Sequence, residues 1–128
     1  MSQDEIILFW LKGAKDAWDT FEKLISDKKY HHSLFFLHLA LEKLLKAVII
    51  KKTDAAPPPT HDLVRLAEKT MPTYDEQTIT SLEEISTFNV AARYDDEKLS
   101  FYKKATKEYA EHWKNIGIKL FTDFQKLL

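Results

Sequence analysis

His38 and Glu42 stand four positions apart, and His31 lies seven positions before His38. If the segment is helical, all three fall near one face, as two metal ligands on a helix would. A metal needs further ligands from another element, and no second cluster of histidine and carboxylate occurs at helical spacing. No metal site and no cofactor are therefore expected. Lys46 follows Glu42 at the same spacing, the geometry of an intrahelical ion pair. Two readings stay open for it. The pair lies on a solvated face, or it belongs to a polar groove with Asp16 and Arg93, where buried charges need partners and mark a site.

Two other places carry suitable groups. His61 and Asp62 open a short helical pattern after three prolines. A carboxylate there suits the positive end of a helix, and a free helix start beside His61 could also receive a phosphate. Arg93 and Tyr94 fall where a helix ends. They either close the bundle or offer a guanidinium and a phenol to a phosphodiester, which arginine binds through two hydrogen bonds. No Gly-rich phosphate loop and no Ser-His-Asp or Cys-His arrangement is present.

The elements that must position these residues are helices. The periodicity predicts helices over about 3–26, 29–52, 61–70, 74–91 and 97–127. The first has Phe9, Trp10, Ala14, Ala17 and Phe21 on one face, with Ser2 or Gln3 at its start. Gly13 interrupts that face and suggests a close neighbour. The second is apolar around most of its circumference, so it is either a central helix or one that buries a second face against a partner chain. Pro57, Pro58 and Pro59 then stop the helix, and Thr60 is the expected cap of the third. The fifth carries Phe101, Ala105, Tyr109, Trp113, Ile116, Leu120 and Phe124 on one stripe. The expected fold is all-α, a single domain over 1–128 built as an up-and-down bundle of four to five helices.

The 128 residues suffice for one core, and only two glycines and four prolines interrupt the chain. There are no cysteines, which removes disulfides, zinc–thiolate sites and iron–sulfur clusters. No apolar run spans a bilayer, and the start, with Asp4 and Glu5, lacks the features of a secretion signal. The expectation is a cytoplasmic protein without a membrane partner. The net charge of −1 argues against strong non-specific nucleic-acid binding, yet the charge is blocked. Residues 28–52 hold six lysines and one acid, 75–97 seven acids and one arginine, and 98–128 seven lysines and three acids. Such blocks either pair between neighbouring helices or leave a local basic face.

Four strings in order resemble the HEPN domain family. They are Ala14-Lys15-Asp16, then Ala40-Leu41-Glu42-Lys43-Leu44-Leu45-Lys46-Ala47, then Thr60-His61-Asp62-Leu63, then Ala92-Arg93-Tyr94. The resemblance implies a helical bundle that commonly forms homodimers. It also implies company with a minimal nucleotidyltransferase, often as a toxin–antitoxin pair, and binding of nucleotide or RNA. Active members are metal-independent ribonucleases with Arg, four to six residues, then His. There the histidine would act as acid or base and the arginine would stabilise phosphorane charge.

This chain departs from that motif. After Arg93 the permitted positions hold Lys98, Leu99 and Ser100, and after Arg65 they hold Thr70, Met71 and Pro72. Asp95 replaces the proline that follows Arg-Tyr in the family pattern. Lys107 and His112 copy the spacing with a lysine. The expected function is thus a binding protein, partner to a separately encoded nucleotidyltransferase. Its expected ligand residues are Asp16, Glu42, Lys46, His61, Arg93 and Tyr94. The alternatives are an atypical HEPN ribonuclease using Arg93 or Lys107 with His112, and a purely structural interaction bundle.

Overall fold

A computed structural model describes residues 1–128. It contains six helices and no strand: α1 Gln3–Ser26, α2 Tyr30–Thr53, α3 Leu63–Glu68, α4 Glu76–Ala91, α5 Ser100–Lys104 and α6 Lys107–Gln125. The four long helices make the bundle, and α3 and α5 are short connectors. Ser2 caps α1 by accepting from the Glu5 N–H, with Asp4 and Glu5 in the first turn. Asp54, in the left-handed conformation at φ 53°, ends α2 before the prolines.

Helix α2 is the central one. It packs against all five others, and every residue from Leu44 to Ile50 is buried. Its wide apolar surface is therefore consumed largely within the chain. Phe21, Leu34, Leu37, Leu41, Leu45, Leu66, Ile85, Phe88 and Phe124 meet in the main core. A Cβ on Gly117 would stand 2.7 Å from Leu37 Cδ1, so glycine lets α6 lie close to α2. Gly13 plays a milder part, lying 3.1 Å (Cβ position) from the Lys43 stem.

Three boundaries differ from the sequence reading. The long fifth helix is two, because the backbone turns at Ala105 (ψ 67°) and Thr106 starts α6 by accepting from the Tyr109 N–H. The apolar stripe runs through this break because Phe101 and Ala105 still face the core. Asp62, not Thr60, caps α3, accepting from the Val64 and Arg65 N–H groups. Thr60 sits one step back and accepts from the Asp62 N–H. Helix α4 starts at Glu76, where the Asp75 carboxylate accepts from the Thr78 N–H.

Candidate functional site

The site grows from one stripe of α2. His38, Glu42 and Lys46 follow each other at four-residue intervals, and all three are buried. Glu42 Oε2 accepts from Lys46 Nζ at 3.0 Å. Glu42 Oε1 accepts from His61 Nδ1 at 2.8 Å. The Glu42 side chain is only 6% exposed, so the solvated-face reading of the pair is wrong. A carboxylate removed from water must find its partners inside the protein, and Glu42 has two.

The proline loop delivers His61. Its carbonyl oxygen accepts from His38 Nε2 at 2.8 Å, while its ring reaches the carboxylate. A carbonyl can only accept, so His38 carries its proton on Nε2. His38 Nδ1 is then a bare nitrogen, buried without a hydrogen-bond partner, 3.9 Å from Glu42 Oε1. Burial pushes the His38 pKa below its ordinary value of 6.5, outweighing the His61 carbonyl bond and the Glu42 charge, which act upward. His61 is arranged the other way round. With Nδ1 donating to Glu42, its side chain is 65% exposed and Nε2 is free.

The flanks are cationic and aromatic. Lys46 Nζ lies 5.5 Å from the centre of the Trp10 ring. The Arg93 guanidinium lies 5.1 Å from the centres of both Phe35 and Tyr94, and its Nε donates to the Asn89 carbonyl. Arg93 also bears on His38, lowering its pKa through charge. Arg93 and Tyr94 are both exposed.

The structure thus joins Glu42, Lys46 and His61 directly and sets Arg93 and Tyr94 beside Phe35, two turns of α2 before Glu42, where Arg93 bears on His38 alone. It does not join Asp16, which is exposed and makes no ion pair. Asp16 falls between the buried Ala14 and Ala17, so its side chain leaves the core face. Instead it lines an open cleft with Phe9, Trp10, Lys12, Gly13 and Lys43. His112 is exposed on α6, stacked edge-on against Trp113, with no hydrogen bond or ion pair to Arg93 or Lys107. Sequence reasoning undervalued His38 and Trp10. The four-residue step from His38 to Glu42 was the available signal for the first, and nothing local marked Trp10 as the neighbour of Lys46. No group of His, Cys, Asp and Glu is placed to hold a metal.

The fold is that of an all-α bundle, and it holds a buried carboxylate between a lysine and a loop histidine. The family model of the HEPN domain matches residues 7–127, and the chain belongs to that family. Among solved structures, the fold is similar to that of TT1696 from Thermus thermophilus. The TM-score is 0.81 at 16% identity, over 95% of this chain and 98% of that one. No curated protein matches the sequence.

Proposed function

We propose that this HEPN protein works by binding. Its site receives the anionic part of a nucleotide or nucleic acid, and it acts as a homodimer beside a separately encoded minimal nucleotidyltransferase. The observation that carries the reading is Lys46. The residue is only 8% exposed, yet it makes a single hydrogen bond, to Glu42. An ammonium has three N–H donors, so two remain for a ligand oxygen. The exposed His61 ring stands on the same carboxylate. Leu8 and Phe9, exposed at 62% and 65% on α1, support a second chain as neighbour.

Calorimetric titration with nucleotides and with inorganic pyrophosphate tests the binding, and co-purification with the product of the adjacent gene tests the partnership. Heat with a defined stoichiometry and a stable complex are expected. Absence of both would overturn the proposal.

One observation favours an enzyme as second reading. A carboxylate orients His61 and leaves its outer nitrogen free, as a general base requires. Incubation of the pure protein with RNA separates the two readings. Cleavage that disappears in His61→Ala or His112→Ala would establish the ribonuclease. Intact RNA is the result the binding reading expects.

A further inference from the structure

Helix α1 buries Ile7, Ala14, Ala17, Phe21 and Ile25 and leaves another face to solvent. Glu5, Leu8, Phe9, Lys12, Asp16 and Asp19 are exposed there, and their spacing sets them on one stripe. Leu8 and Phe9 form the middle of its first half, two large apolar side chains in water. Glu5 stands three positions before Leu8, and Lys12 three positions after Phe9. Neither charge forms an ion pair within the chain. They cannot reach each other, since two helical turns separate them by about 10 Å.

Beside Phe9 the surface is hollow. Phe9, Trp10, Gly13 and Lys43 line an open cleft of about 520 Å³, and Gly13 adds no side chain to fill it. This face is complementary to itself under one operation. A two-fold axis crossing α1 between Leu8 and Phe9 lays a second α1 antiparallel on the first. It brings Glu5 of each copy to Lys12 of the other, and Leu8 and Phe9 to their own counterparts. Helical side chains lean toward their own N-terminus, so Phe9 of the antiparallel copy leans toward Gly13 and enters the cleft. Knob and hole share one surface, as an interface between identical copies requires. A parallel pairing would instead set Glu5 against Glu5 and Lys12 against Lys12. In the antiparallel register Lys15 and Asp16 come opposite Ser2 and Met1, so no like charges meet.

We infer that this face of α1 docks a second copy of the chain, antiparallel, with Phe9 of each copy in the cleft beside Gly13 of the other. Two Glu5–Lys12 ion pairs close the ends of the apolar contact and fix its register. The inference rests on the homodimer proposed above and assigns it a surface and an orientation. The interface adjoins the buried pair, because Trp10 lines the cleft and also meets the Lys46 ammonium.

The test is analytical ultracentrifugation of the full chain over a range of concentrations, repeated with Glu5→Lys and with Lys12→Glu. The unaltered chain should sediment as a dimer. Each variant alone sets like charges together at both ends of the contact and should dimerise at least about tenfold more weakly. An equal mixture of the two should restore the dimer. There the introduced lysine faces the introduced glutamate, and the native Lys12 faces the native Glu5. Asp19→Lys makes the same charge change on the same face outside the overlap and should leave the dimer intact. A dimer that ignores both substitutions, a mixture that fails to reassociate, or an equal loss in Asp19→Lys overturns the interface and leaves the homodimer standing. A monomer at every concentration overturns the homodimer and the interface together, and gives the face to a different partner. The substituted side chains are exposed, and recovery in the mixture shows directly that both variants fold.

Discussion

Glu42 is the residue at the centre of the site. A buried carboxylate with a buried ammonium 3.0 Å away resists the loss of either partner. Glu42→Leu alone and Lys46→Met alone should each cost about 3–5 kcal/mol in urea unfolding, because each leaves an uncompensated charge. The double substitution should cost less than either single one, since an apolar pair of similar volume removes both charges. A double variant that keeps full stability yet loses nucleotide binding would separate the site's function from its structural part. His38 gives a second test. Its pKa is lowered in the fold by burial, so below 6.5 the unfolded chain takes up a proton that the native ring refuses. This contribution is absent at higher pH and turns destabilising as pH falls below 6.5. The urea midpoint should drop between pH 7.5 and 5.5, and the drop should be smaller in His38→Gln. Equal drops would remove His38 from the explanation. At this scale the sequence is half legible. The spacing of Glu42 and Lys46 announces a pair, but burial and the arrival of His61 depend on how the proline loop folds back. Asp16 is a carboxylate on the neighbouring helix that the sequence also offered to the groove, yet it faces solvent.

At the scale of elements, the termini of helices carry the specificity that periodicity lacks. Asp62 holds two N–H groups of α3, a helix of only six residues. Asp62→Ala should cost about 1 kcal/mol and loosen the loop that presents His61, whereas Asp62→Asn should stay close to the parent. Thermal unfolding of the three proteins checks this, and equal midpoints would show that α3 does not depend on its cap. Gly117→Ala tests the approach of α6 to α2. The added methyl meets Leu37, which is fully buried and cannot swing into solvent, so a cost of about 1–3 kcal/mol is expected. The helical stripes are legible to within a few residues for α1 and α2. The break at Ala105 is not, because both halves keep their apolar residues in register. Only the Thr106 cap marks it, and a threonine within a helical pattern is ordinary by itself. The same limit explains Thr60 and Asp62, two good caps close together where packing decides.

For the whole molecule, the charge blocks are the feature to reconcile. A single ion pair links the acidic segment 75–97 to the basic one after it, Lys104 with Glu84 at 3.1 Å. Lys114 pairs instead with Glu22 on α1. Direct pairing therefore neutralises little, and the lysines of α2 that flank the site, apart from Lys46, have no acidic partner. This leaves a long-range field that favours anions near α2 and that salt should weaken. The bundle itself is written in composition and periodicity, since few breakers and long amphipathic runs allow little else. The place of the site within it is not, because it is assembled from a helix, a loop and a helix end far apart in sequence. The most direct trial of that placement is side-chain nitrogen NMR of the histidines during titration with pyrophosphate. The His61 ring should respond first and saturate with the binding curve, with His38 following through their contact. Silence at His61 while His31 and His32 respond would put the anion elsewhere and contradict the account.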